Sequence, residues 1–299
     1  MIRKDWAGVF PAMTTPFNAD LSVDYDALSA HAQWLIEAGC KGVVALGSLG
    51  ESATLSRDEK IEILRRLKAA LGGQGLLIAG ISALSTADAV SLAREAHRAG
   101  VDGLMVLPPL LYPSDWRETE AHLGAVLSAT PLSSMLYNNP IAYGTDVTPE
   151  QVLALQQRYP NLHAVKESSG DLRRITALKF LLRDTLALFV GMDDVLVESV
   201  AAGAVGWIAG LVNAFPQESV RLFDLARSGP SPQLEKLYEW FLPLLRLDTV
   251  PKFVQLIKLV QQENGGPIAH VRPPRLDLVG AERDEVIDLT RKSLAARPQ

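Results

Sequence analysis

The chain has a single cysteine, Cys40, among 299 residues, which excludes an internal disulfide and any multi-cysteine metal cluster. Histidine is scarce as well. His31, His97, His122, His163 and His270 show no metal-ligand spacing, so metal-dependent carbonyl chemistry has little support. No apolar stretch reaches the roughly 18 residues needed to cross a bilayer. The N-terminus, Met1 to Trp6, lacks the long apolar core of a secretion signal. Charge of one sign is also lacking: a net charge of -5 gives no electrostatic reason to expect nucleic acid or an anionic membrane as partner. These absences leave a cytoplasmic protein with a small-molecule partner as the expectation. What is plentiful is apolar residue, 48% of the chain, enough for one full-sized core.

One phrase recurs along the chain. Ala38-Gly39-Cys40-Lys41-Gly42, Ala99-Gly100-Val101-Asp102-Gly103 and Ala202-Gly203-Ala204-Val205-Gly206 each precede a short apolar run. Each reads as a helix end, a glycine C-cap and a buried strand. Eight such runs are expected as strands: 8–13, 42–46, 75–79, 103–107, 133–137, 162–166, 186–190 and 205–209. Helical patterns separate them. Ser56 to Glu59 fits a capping box, Ser85 to Asp88 is a looser version, and Thr148-Pro149 sets an N-cap before a proline. Eight β-α units in a row predict an α/β fold, a (β/α)8 TIM barrel over residues 1–225, with an open doubly wound sheet as the rival. Residues 226–299 are expected as a C-terminal helical extension packed on the barrel. In that extension a helix runs to about Leu247, another begins at Val250-Pro251, and a last one begins near Ala281.

In such a barrel the site lies at the C-terminal ends of the strands. The fifth strand then ends at Tyr137 and the sixth at Lys166. Adjacent strands lie about 4.8 Å apart, so the phenol and the amine are expected within reach of each other. A lysine at an arbitrary strand end is most often solvated, and a lone tyrosine is most often a core residue. Together they are the equipment for Schiff-base chemistry on a carbonyl, with Lys166 as nucleophile and Tyr137 as proton shuttle. The second strand leads into Gly47-Ser48-Leu49-Gly50-Glu51. This loop lacks the dinucleotide spacing. Its glycines let consecutive N–H groups converge, which suits a carboxylate, and an ordinary βα turn is the alternative. Thr14 and Ile208 fall at the ends of the first and eighth strands and complete the candidate substrate site. Asp193-Asp194 is expected to cap a helix rather than hold a cation, and Arg272 and Arg275 are expected at the surface. No cofactor is implied.

The chain resembles the dihydrodipicolinate synthase / N-acetylneuraminate lyase family along nearly its full length. The resemblance rests on Gly47-Ser48-Leu49-Gly50-Glu51, Tyr137-Asn138-Asn139-Pro140, Lys166-Glu167-Ser168-Ser169-Gly170-Asp171 and Gly191-Met192-Asp193-Asp194, in that order. It implies a TIM barrel with a helical extension, usually a homotetramer or dimer of dimers. It also implies an imine between Lys166 and a 2-oxo acid, with Tyr137 moving protons and Ser48 and Leu49 holding the substrate carboxylate. Two departures stand out. The synthase branch has an arginine five residues after the tyrosine, where this chain has Ala142, and a relay tyrosine lent by a neighbouring subunit, where this chain has Leu110. The relay thereby loses a member unless Tyr112 or Tyr143 replaces it. Stretches 206–210, 254–259 and 272–276 look like the branch that deaminates 1-pyrroline-4-hydroxy-2-carboxylate to 2-oxoglutarate semialdehyde. The alternatives are another aldolase, dehydratase or synthase of the family, a ligand-binding barrel without catalysis, and a metal-dependent barrel enzyme.

Overall fold

Burial on both faces favours unbroken runs of Val, Ile, Leu and Ala over alternation, and all eight runs form strands. They are β1 (Gly8–Pro11), β2 (Gly42–Ala45), β3 (Leu76–Ile81), β4 (Gly103–Val106), β5 (Ser133–Asn138), β6 (Leu162–Glu167), β7 (Ala187–Val190) and β8 (Gly206–Ala209). All pairings are parallel, in the order β1-β8-β7-β6-β5-β4-β3-β2. The ring closes where Ala12 bridges Val44 and the Met13 N–H donates to the Val44 carbonyl at 2.9 Å. This computed structural model, which describes residues 1–111 and 114–298, is therefore a (β/α)8 barrel, and the doubly wound alternative is set aside.

Strand ends shift from expectation by one or two residues: β1 stops at Pro11 rather than Met13, and β2, β4, β5, β6, β7 and β8 each move by one. β3 starts one residue later and runs two further, because Gly80 and Ile81 pair with Met105 and Val106 of β4. Gly80 is needed there, since a Cβ would stand 2.5 Å from the Leu46 carbonyl oxygen.

Helices wrap the ring: α1 (Tyr25–Glu37), α2 (Arg57–Leu71), α3 (Thr86–Arg98), α4 (Trp116–Leu127), α5 (Pro140–Tyr143), α6 (Pro149–Arg158), α7 (Leu172–Leu182), α8 (Leu196–Ala201) and α9 (Pro216–Ser228). Their starts follow the chemistry of the caps. Ser56 and Glu59 form the reciprocal box at α2, Ser85 caps α3, and Thr148 with Gln151 boxes α6. No described helix is long and apolar enough to cross a membrane.

The tail adds α10 (Pro232–Leu245), α11 (Phe253–Glu263) and α12 (Gly280–Ala295). α10 stops at Leu245, two residues short of expectation, and the chain tightens into a 3-10 turn, Arg246–Thr249. α11 begins at Phe253 rather than at Val250, because the residue before Pro251 is held extended.

Two apolar layers result. Inward side chains of Phe10, Val44, Ile78, Met105, Met135 and Phe189 fill the barrel, and Trp6 joins them, donating from Nε1 to Ser133 Oγ at 2.8 Å where β5 begins. The outer layer lies between strands and helices and continues into the tail through Phe241, Leu244 and Val260.

Candidate active site

Tyr137 and Lys166 are direct partners in the β5–β6 register. Both are buried, at 5% and 6% exposure. Lys166 Nζ lies 4.1 Å from the centroid of the Tyr137 ring, over its face. The outward neighbours lock the two strand ends together, because Asn138 Nδ2 donates to Glu167 at 3.1 Å. Burial pulls the Lys166 amine down to about 8, while the carboxylates of Asp248 and then Asp193 act in the opposite sense. Burial raises the Tyr137 phenol, and Asn139, whose Nδ2 donates to its oxygen at 2.9 Å, works against that rise.

The Gly47–Glu51 loop follows β2. Leu46 and Glu51 bracket it with positive φ, at 62° and 54°. Gly50 passes so close to β1 that a Cβ would stand 2.8 Å from the Met13 carbonyl. This loop brings the Ser48 hydroxyl into a hydrogen bond with the Tyr143 hydroxyl. The Tyr143 ring meets Tyr137 edge-on, with centroids 5.9 Å apart. Lys166, Tyr137, Tyr143 and Ser48 thus form one cluster. Leu110 packs against the inner layer of its own barrel, and Ala142 is exposed on α5. Tyr112 lies outside the described residues.

The other expected site residues are placed differently from one another. Ile208 faces the barrel interior with Tyr137. Leu49 is buried in the outer layer, which leaves its backbone to the loop. Thr14 has its hydroxyl committed elsewhere, donating to Gln261 Oε1 at 2.8 Å, and its N–H donates to Asn213. That network includes His31, which burial holds down at about 4 and therefore neutral.

Asp193 is a correction. It does not cap its own helix. Its carboxylate reaches across to the end of β8, accepting from Trp207 Nε1 at 3.1 Å and from the N–H groups of Gly210 and Leu211 at 3.2 and 2.9 Å. Arg272 is another. Instead of a free surface position it braces the molecule, bonding Glu59 at 2.6 and 2.9 Å and the carbonyls of Leu21 and Thr54.

Two groups were missed from sequence. Ser168, fully buried, shares with Lys166 the space that a side chain on Gly191 would fill. The strand alternation carries that signal, since residue 168 follows 166 by two. Asp248, in the tail, also acts on Lys166, and no local pattern marks it.

The arrangement supplies a buried amine, a phenol beside it and hydroxyls around both. The model of the dihydrodipicolinate synthetase family matches residues 5–292. The chain is 32% identical over 280 residues to the 4-hydroxy-tetrahydrodipicolinate synthase of Moorella thermoacetica, covering 94% of each. It is 29% identical over 286 residues to the synthase of the same name from Desulforamulus reducens, covering 96% of this chain and 97% of that one. Its fold is similar to the solved 4-hydroxy-tetrahydrodipicolinate synthase of Methylacidiphilum fumariolicum, with a TM-score of 0.91 and 27% identity over 97% of each chain.

Proposed function

Because the chain belongs to the dihydrodipicolinate synthetase family, we propose that it is a lysine Schiff-base lyase acting on a small 2-oxo or 2-imino acid. The observation that carries this reading is the desolvated Lys166 amine lying over the Tyr137 ring at the barrel mouth. In this reading the neutral amine attacks C2, and Tyr137 relays protons as water or a ring nitrogen leaves. The imine acidifies C3, and loss of a C3 proton gives an enamine. Ser48 and the backbone of Leu49, with Gly47 for close approach, anchor the C1 carboxylate, and Ile208 lines the pocket. The enamine can add to an aldehyde, or drive cleavage or elimination at C4.

Borohydride in the presence of pyruvate is the direct test. It should add the reduced pyruvyl mass to Lys166, and failure of every 2-oxo acid to attach there would sink the reading. The rate of trapping also has a predicted pH profile. Only the neutral amine attacks, so the rate should climb about tenfold per pH unit up to about 8 and then level off. At pH 7 such an amine is about one-tenth neutral, against roughly one part in three thousand for an ordinary lysine. A climb that continues to pH 10 would contradict the lowered value. Tyr137→Phe keeps the ring under the amine and removes the proton carrier. It should cut turnover about 100-fold, and a variant within threefold of the parent would remove Tyr137 from the relay.

A second reading is favoured by Ala142 and Leu110. With alanine at the position where the synthase branch grips a second carboxylate, the charge-assisted contact specific to that substrate is missing. This supports a substrate with one carboxylate, such as 1-pyrroline-4-hydroxy-2-carboxylate, deaminated to 2-oxoglutarate semialdehyde. Ammonia release from the pyrroline, set against condensation of pyruvate with an aldehyde, separates the two. Assembly as a homotetramer or dimer of dimers belongs to the same proposal. Exposed Leu84 and Leu111, on loops after β3 and β4, and Ile141, on α5 after β5, supply apolar side chains for it.

A further inference from the structure

β8 alternates as a strand must. Trp207 and Ala209 face the helices, Ile208 faces the interior, and a side chain on Gly206 would run into the inward ring of Phe189. Gly210 follows in the inward phase, and a side chain there would collide with Asp248 Oδ1. The Asp248 carboxyl therefore occupies the place of an inward side chain at the mouth end of β8, delivered by the 3-10 turn of the tail. On the adjacent strand, Gly191 yields its inward space to Lys166 and Ser168 in the same way. Asp248 thus stands on one side of Lys166 and Tyr137 on the other.

Two carboxyls approach Gly210, and they differ in one respect. Both oxygens of Asp193 are bonded, to Trp207 Nε1 and to two backbone N–H groups. Oδ1 of Asp248 is buried and makes no hydrogen bond of its own among the described residues, because the Gly210 N–H beside it is bonded to Asp193. A buried polar atom left alone is costly, so its retention at a reactive centre points to a partner that arrives with the substrate.

We propose that Asp248 is a catalytic acid of this site, passing its carboxyl proton to a hydroxyl on C4 of the lysine-bound substrate as that group leaves. The inference rests on the Schiff-base reading and names the substrate class: a 2-oxo or 2-imino acid with a C4 hydroxyl. The electrons balance. The enamine pair becomes the C3–C4 double bond, the C4–O bond breaks toward oxygen, and the Asp248 proton completes a water molecule. Later hydrolysis of the cationic lysine imine releases one proton, which restores the acid. Burial, reinforced by the Asp193 charge, raises the Asp248 carboxyl well above the usual carboxylate range, while Lys166 opposes the rise.

The test is Asp248→Asn, which keeps the shape and removes the proton. Pyruvate, with no C4, probes imine formation by borohydride trapping, and 1-pyrroline-4-hydroxy-2-carboxylate probes elimination through ammonia release. At pH 9, where the Lys166 amine is neutral with or without the Asp248 charge beside it, the variant should trap pyruvate within threefold of the parent rate, and at the parent's optimum it should lose about 100-fold or more in ammonia release. Ammonia release within threefold of the parent would overturn the proposal. So would equal losses in both assays, which would make Asp248 a positioning residue for the amine. A parent enzyme that traps pyruvate but leaves the pyrroline intact would overturn the substrate class and this acid role together. A parent that traps no 2-oxo acid would instead bring down the Schiff-base reading beneath it.

Discussion

A Lys166→Ala variant should fold like the parent and lose at least about 10,000-fold in turnover, because Tyr137, Tyr143 and Ser48, its described neighbours in the cluster, cannot form the imine in its place. Its thermal melt should stay close to the parent's. The side chain removed carries a desolvated amine at the barrel mouth, and burial already disfavours its charged form. Borohydride with pyruvate should then add no mass anywhere on the chain. Lys166→Arg makes the companion experiment. It keeps a cation over the Tyr137 ring and beside Asp193 and Asp248, yet a guanidinium does not form the imine. If charge alone mattered, arginine would rescue. The expectation is that it fails as completely as alanine. Turnover by Lys166→Ala within tenfold of the parent would show that the reaction runs without a lysine imine.

The pairing of Lys166 with Tyr137 was legible because it depends only on strand order and a fixed spacing between neighbouring strands. The β5–β6 register then places the two residues opposite each other. Caps at Ser56, Ser85 and Thr148 were legible for a similar reason, since each bonds an N–H three residues away. Local rules misled where a side chain had a stronger distant partner. Asp193 has the sequence setting of a cap, but the unpaired N–H groups of Gly210 and Leu211 take its carboxylate. Thr14 sits at a strand end as expected, but Gln261, 247 residues on, takes its hydroxyl. Asp248 was invisible for the same physical reason: its place depends on how the tail folds back over β8, and periodicity carries no record of that. Ser168 was within reach of the alternation argument, one strand step beyond Lys166.

The tail also holds the loop that carries Ser48, and breaking that hold should produce a large loss of stability. Lys258 of α11 donates to Glu51 Oε1 at 2.6 Å and to the His270 carbonyl at 2.7 Å. The two charged side chains are 3% and 0% exposed. The second oxygen of Glu51 accepts from the Arg272 N–H at 3.0 Å. The Phe17 ring supports both cations, with Lys258 Nζ 4.3 Å and Arg272 Cζ 4.5 Å from its centroid. Glu51 itself closes the Gly47–Glu51 loop in a left-handed conformation, which a non-glycine residue keeps only when its surroundings hold it there. Lys258→Met fills the same space but leaves a carboxylate buried without its counter-charge. The expected cost is about 3–5 kcal/mol, read as a lower urea midpoint at unchanged slope. Glu51→Gln combined with Lys258→Met removes both charges and should recover most of that loss, because the penalty lies in the orphaned ion rather than in the missing bridge. The function should register it separately. With the loop loosened, the KM for a 2-oxo acid should rise in the double variant while saturating borohydride still labels Lys166. A single variant that loses less than about 1 kcal/mol would mean that water or a shifted backbone satisfies Glu51, and that the tail does not brace the carboxylate loop through this pair.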